Sequence, residues 1–275
     1  MQILADHLAS PVDRIGRYVY DQCPQYAVSW SYRLELLLLE LQGYNADVLC
    51  LQETKVEDKL FPFSEFEDAG YHVAFYGQKS YNGVAILSKT PIDDVQYGFQ
   101  TGYDSDNKRF ISASIQNIRF LNVYIPQGQS IDSPKFTYKL ELIRELQNEL
   151  SQCYTPGTPL VLLGDINIAP DERDVVDPEK MKTVVSFLPE ERQLLEELRE
   201  WGLVDVFREF HEEGGLYSWW NFRTRGFEKN HGMRIDLILS TIQLSQQCQS
   251  CTIDVESRAL PRPSDHAPVI AEFCY

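Results

Sequence analysis

The chain has 275 residues, 43% of them apolar, which suits an ordinary buried core and either one large domain or two small ones. Its 41 acidic residues outnumber 25 Lys and Arg, for a net charge of −16. That balance counts against passive coating of nucleic acid, because attraction to phosphate supplies most of such affinity; a local basic rim on an acidic body is still compatible. No apolar run of about 18 residues is present to span a bilayer, and residues 1–20 carry Asp6, His7, Asp13, Arg14 and Arg17 where a secretory leader would be apolar, so a cytoplasmic protein is expected.

Residues 32–41 place Leu34, Leu37, Leu38 and Leu41 on one helical face. Val48–Gln52 is short and continuously apolar, as in a strand covered on both sides, and it ends in Leu51-Gln52-Glu53-Thr54. A carboxylate at such a strand end suits Mg²⁺, which takes one or two carboxylates plus water and substrate phosphate; by itself, Glu53 reads more readily as a solvated acid. Further strands are predicted at His72–Tyr76 and residues 83–88, and the polar, glycine-containing residues 93–107 read as a surface loop. Strands at Phe110–Ile115 and residues 119–125 lie too close for an intervening helix and form a hairpin. Lys108-Arg109 precedes it, and Tyr124 near its end could donate to a phosphate or simply be a buried, satisfied phenol.

Ser133 and Pro134 form an N-cap and first turn, opening a helix to about residue 150. A strand at residues 160–163 runs into Gly164-Asp165-Ile166-Asn167, where Gly164 permits a sharp turn and Asp165 and Asn167 alternate by two. There a carboxylate can deprotonate water and an amide can donate to phosphate; an Asx turn is the plainer reading. A third helix at residues 189–201 stops at Gly202. Ser218-Trp219-Trp220-Asn221-Phe222-Arg223, followed by Arg225 and Lys229, is either an aromatic core hairpin or a wedge that stacks on a base, with cations on phosphates. A strand at residues 235–239 carries Asp236, and Ser264-Asp265-His266 precedes a last strand, Val269–Phe273. Asp236 could orient His266, polarising the imidazole for proton transfer. The six cysteines include one close pair, Cys248 and Cys251, and are expected to be reduced and structural. Strands interleaved with helices and no central linker favour a single α/β domain, residues 1–275, with mixed sheets.

From about residue 48 onward the chain resembles bacterial exonuclease III, the apurinic/apyrimidinic endonuclease branch of the endonuclease–exonuclease–phosphatase superfamily. The likeness rests on Leu51-Gln52-Glu53-Thr54-Lys55, Gly77-Gln78-Lys79, Tyr81-Asn82-Gly83-Val84-Ala85, Pro126-Gln127-Gly128, and Gly164-Asp165-Ile166-Asn167-Ile168-Ala169-Pro170. It continues through Ser218-Trp219-Trp220, Arg234-Ile235-Asp236 and Pro263-Ser264-Asp265-His266-Ala267-Pro268. The resemblance implies two packed mixed β-sheets flanked by helices, a four-layer, DNase I-like sandwich. It implies a Mg²⁺ or Mn²⁺ ion held by Glu53, with Asp265 in the metal region. Tyr124 would contact the scissile phosphate, Asp165 would activate water, Asn167 would orient it or the phosphate, and Asp236 would orient His266. Arg109, Trp219, Trp220 and Arg223 would face the substrate. The implied activity is cleavage of DNA at abasic sites and removal of nucleotides or blocking groups from 3′ ends; with no clear oligomerisation surface in the sequence, a monomer is the default expectation.

Residues 1–47 resemble instead the deadenylase and 2′-phosphodiesterase branch of the superfamily. Leu4-Ala5-Asp6, Cys23-Pro24-Gln25-Tyr26-Ala27, Ser29-Trp30-Ser31-Tyr32-Arg33 and Gly43-Tyr44-Asn45-Ala46-Asp47 carry that likeness. Both branches imply a first strand ending in a metal-binding Asn. That position falls on Gln2, whose amide is one methylene longer and expected to be a poorer ligand, and most of the strand before it would be missing. Two alternatives to DNA cleavage therefore stay open: an RNA-directed deadenylase or 2′-phosphodiesterase, and a catalytically impaired chain joined from two branches.

Overall fold

The computed structural model describes residues 30–260 and 263–274; Gln2 and the other positions of residues 1–29 lie outside them. In chain order, α1 (Trp30–Tyr44), β1 (Val48–Gln52), α2 (Phe63–Asp68), β2 (His72–Tyr76), β3 (Val84–Ser88), β4 (Asp93–Tyr97), β5 (Phe110–Ile115) and β6 (Ile118–Tyr124) form the first half. The second half runs through α3 (Pro134–Cys153), β7 (Leu160–Asp165), α4 (Pro178–Met181), α5 (Pro189–Glu200), β8 (Leu203–Asp205), β9 (Trp219–Trp220) and β10 (Gly232–Met233). It closes with β11 (Asp236–Thr241), α6 (Ile242–Ser245), β12 (Cys248–Ile253) and β13 (Val269–Phe273). Ser133 caps α3 as expected, its hydroxyl accepting from the Lys135 N–H, with Pro134 in the first turn.

A three-stranded antiparallel sheet, β1-β3-β2, faces a six-stranded sheet, β4-β5-β6-β7-β11-β8, in which the β6–β7 pair is parallel and the other pairs antiparallel. Side chains alternate along each strand, so each sheet covers two cores. Leu49 and Leu51 of β1 turn outward against Leu37 and Leu41 of α1 and Phe66 of α2. Between the sheets, Ala74, Val84 and Ile86 meet Ile111, Ala113 and Ile115. Leu121, Val123, Leu160 and Leu162 turn outward from the larger sheet onto Leu140, Ile143 and Leu146 of α3 and Leu194, Leu195 and Leu198 of α5. The β12–β13 hairpin also rests on the inner face, where Cys251, Val269 and Ala271 share a core with Val161 and Ile238. The result is the four-layer arrangement, helices–sheet–sheet–helices, that the family likeness implied.

The apolar seam between the sheets contains one polar staple. Gln52 donates through Nε2 to Oδ1 of Asn122 at 2.6 Å, and Asn122 donates to the carbonyls of Leu51 (3.0 Å) and Ala85 (2.8 Å). Both side chains are at most 1% exposed. Such bonds add only about 1 kcal/mol each net, yet leaving one partner unpaired costs about 1–3 kcal/mol. The staple therefore punishes misalignment more than it rewards contact, and it sets the end of β1 opposite the end of β6.

Two expectations are corrected. Residues 93–97 are not loop but the edge strand β4; its exposed, polar residues show no alternation, and a bulge between Asp93 and Gln96 breaks its register with β5. Cys248–Ile253, read only for its cysteine spacing, is strand β12; among the described residues Cys153, Cys248, Cys251 and Cys274 are free thiols, as expected.

Candidate active site

The larger sheet's register builds the centre of the site. β6 pairs Tyr124 with Asp165 of β7, and β11 pairs Asp236 with the same Asp165, so three of the candidate residues stand in one row across adjacent strand ends. Gly164 makes the row possible. Its φ is +139°, and a Cβ there would lie 2.0 Å from the Val123 carbonyl oxygen of the neighbouring strand. Asp165 is 1% exposed, and its Oδ1 accepts the Asn167 N–H at 3.1 Å. The turn that follows replaces the strand-like alternation expected for Asp165 and Asn167: Asn167 is left-handed (φ 53°) and its side-chain amide donates to the Ile125 carbonyl at 2.9 Å. The plainer expectation, an Asx turn after the strand, is the geometry observed.

His266 reaches this row from the segment before β13. That segment pairs with β9 through the Trp219–His266 bridge, the Trp220 N–H to the Asp265 carbonyl (3.0 Å) and the Ala267 N–H to the Ser218 carbonyl (2.7 Å). The His266 Nδ1 lies 2.8 and 3.0 Å from the two oxygens of Asp236, and Ser218 Oγ donates to Asp236 Oδ2 at 2.6 Å. Burial alone would lower the imidazole's pKa; the Asp236 carboxylate, with Asp165 and Asp265 nearby, outweighs it and lifts the value to about 10. Asp165 is driven well above the usual carboxylate range, first by burial and then by Asp236 and Glu53, with His266 opposing. One ligand atom each from Asp165, Asp236 and His266 falls within 4.8 Å of the others.

The smaller sheet contributes Glu53. The chain leaves β1 through two left-handed residues, Glu53 (φ 53°) and Lys55 (φ 52°), held by the Lys55 N–H to the Asn82 carbonyl (2.8 Å) and the Thr54 N–H to the Gly83 carbonyl (3.2 Å). Tyr124 donates its hydroxyl to Glu53 Oε1, and Lys55 Nζ lies 3.0 Å from Oε2. Burial and the charges of Glu53 and Asp165 raise the Tyr124 phenol well above its ordinary pKa, keeping it a donor. Carboxylates converge here from both sheets, opposed by His266 and Lys55. This hard, oxygen-rich donor set fits a divalent cation of the Mg²⁺ or Mn²⁺ kind.

The expected substrate-facing residues separate. Arg109 is not on an open rim: its guanidinium lies over the Tyr124 ring at 4.6 Å, with Asp104 4.0 Å from its Nε, and its side chain is 12% exposed. Trp219 is half-buried and donates through Nε1 to Asp265 Oδ2 at 3.0 Å. Trp220 is 2% exposed and packs in a core with Tyr217 and Phe227, so only the first of the two tryptophans borders the site. Arg223 is exposed on a short 3₁₀ turn capped by Asn221. The sequence reading missed Ser218, hidden in a word read for its aromatics, and Lys139, whose signal was a charge on the apolar stripe of α3.

Residues 16–266 match the Endonuclease/Exonuclease/phosphatase family. The chain is 37% identical over 245 residues to exodeoxyribonuclease III of Haemophilus influenzae, covering 85% of this chain and 92% of that protein. Among solved structures it is similar to an AP endonuclease from Archaeoglobus fulgidus, at 38% identity and a TM-score of 0.84, over 88% of this chain and 94% of that one. It is also similar to a Neisseria 3′ phosphatase bound to product DNA hairpin, at 38% identity and a TM-score of 0.82, over 88% and 95% of the two chains. The chain belongs to the Endonuclease/Exonuclease/phosphatase family.

Proposed function

We propose that this family member is a DNA-repair nuclease, a Mg²⁺- or Mn²⁺-dependent phosphodiesterase that cleaves duplex DNA at abasic sites and removes nucleotides or blocking groups from 3′ ends. The observation that carries the reading is the row Tyr124–Asp165–Asp236 with His266 bonded to its end and Glu53 facing it from the other sheet. Asp165 takes the proton of the attacking water. Asn167 orients that water or a phosphate oxygen, Tyr124 donates to a non-bridging oxygen, and His266, kept protonated by Asp236, neutralises charge that builds on the phosphate. Glu53 and Asp265 would hold the divalent ion, which when bound supplies Lewis acidity toward the phosphate. Trp219 would border the damaged nucleotide, and the exposed Arg223 would meet the DNA backbone. The enzyme would act as a cytoplasmic monomer.

The test is nicking of an abasic duplex, alongside degradation of poly(A), with Mg²⁺ or Mn²⁺ in excess. Metal-dependent nicking that Asp165→Asn abolishes while the fold persists supports the reading. No nicking by the unmutated chain overturns it, and preferential cleavage of poly(A) replaces DNA with RNA as substrate.

A further inference from the structure

Beneath the catalytic turn lies an ion pair that the proposed chemistry does not use. Lys139 of α3 and Glu191 of α5 are in direct contact, and both side chains are 0% exposed. Lys139 Nζ also donates to the Asn167 carbonyl at 2.7 Å and to the Gln127 carbonyl at 3.3 Å. The Glu191 carboxylate accepts the Ser186 N–H at 2.8 Å and the Leu188 N–H at 3.0 Å. Each partner thus holds a residue in the left-handed region: Asn167 at φ 53° by its carbonyl, Ser186 at φ 79° by its amide. The two turns are joined directly as well, the Ala169 N–H donating to the Ser186 carbonyl at 2.8 Å.

A buried ion pair is a weak source of net stability, because desolvating both charges offsets their attraction and an apolar pair of similar volume often serves as well. Left-handed non-glycine residues, in turn, cost free energy and persist where the surroundings over-determine them. A pair that spends two desolvated charges on holding two such turns, one of which carries Asn167, is better explained by geometry than by stability. Gln127 belongs to the loop that follows β6 and Tyr124, so the same ammonium reaches the turns after both parallel strands of the site.

We infer that Lys139 and Glu191 are positioning residues for the reaction: their ion pair locks the Asn167 turn and the Gln127 loop in the shape the substrate phosphate requires. The inference rests on the proposed phosphodiesterase reading for its kinetic consequence, but its structural consequence can be read without activity. Misplacement of a catalytic group by about 1 Å from a distant change can cost on the order of 100-fold in rate.

The test is the double variant Lys139→Met/Glu191→Gln, which keeps volume and the oxygen acceptor for the two amides while removing both charges. Phe66→Leu, in the core under α1 and α2, is the control that loses stability elsewhere. The double variant is expected to melt cooperatively, with kcat on abasic duplex reduced between about 10- and 100-fold and KM within about threefold. Amides of residues 167–169 and 186 are expected to exchange with solvent at least about tenfold faster than in the parent. Phe66→Leu should leave both readouts near the parent's. Should the double variant not fold, Glu191→Gln alone is read the same way. Unchanged exchange at those amides, or kcat within about twofold of an active parent, overturns the inference. If the parent itself does not nick DNA, the proposed function fails, and the exchange rates alone decide the positioning role.

Discussion

The two walls of the site are built differently. On the larger sheet's side, Asp165, Asp236 and the His266 that reaches them from the segment before β13 are each 9% exposed or less, locked by strand register, by Ser218 and by contact with one another. On the smaller sheet, Glu53 sits beyond the end of β1 on two left-handed residues, its side chain 18% exposed and tethered by Tyr124 and Lys55. Under the proposed function the contrast separates two tasks. Groups that move a proton need fixed distances, which burial and register provide. A ligand that admits and releases an ion gains from a site that can adjust, and a partly exposed carboxylate on a short turn can do so.

This contrast can be broken or sharpened by experiment, beginning with the rigid wall. Asp165→Asn should lower the rate of abasic nicking between about 10²- and 10⁴-fold, with no recovery at high metal concentration. Glu53→Gln should also depress nicking, but its defect should shift the metal requirement upward by at least about tenfold and be largely relieved by excess Mn²⁺. If the two variants respond alike to added metal in a titration of rate against concentration, the division of labour is wrong. Gly164→Ala should destabilise the fold by at least about 3 kcal/mol in chemical denaturation, since the new methyl meets the Val123 carbonyl at a positive φ.

A third measurement probes the lock on His266. In the metal-free protein its ring should titrate near pH 10, as followed by proton NMR, and fall toward the ordinary value of about 6.5 in Asp236→Asn. The folded-state value is raised, so this pairing contributes stability fully below about pH 6.5 and loses it as pH climbs through about 10. The smallest effect belongs to the adjustable wall: Lys55→Met should change stability by under about 1 kcal/mol, because its bond to Glu53 is partly solvated.

Most strands of both central layers, though not the three-residue edge strand β8, could be read from the sequence because they are largely buried and mostly apolar; Val48–Gln52, His72–Tyr76 and Phe110–Ile115 have the predicted bounds. The polar edge strand β4 could not, since an exposed edge needs no apolar pattern. Site residues were legible as words at strand ends, but their mutual placement was not: the Tyr124–Asp165–Asp236 row depends on register between strands more than thirty residues apart in the chain. Lys139 went unread for a related reason. Its partners are backbone carbonyls and a glutamate on another helix, and nothing local marks them. Trp219 and Trp220 are adjacent in sequence but not in role: neighbouring residues on a strand point to opposite faces, so one borders the site and the other fills the core.

The Gln52–Asn122 pair joins β1 of the smaller sheet to β6 of the larger one. It fastens the two walls to each other with uncharged amides buried from solvent. Protons do not titrate these groups, and dissolved ions screen them little. Added salt will therefore slow the encounter with a polyanionic substrate while leaving the width of the cleft as it was, so salt dependence in this protein reports on approach and departure and not on the spacing of the machinery inside.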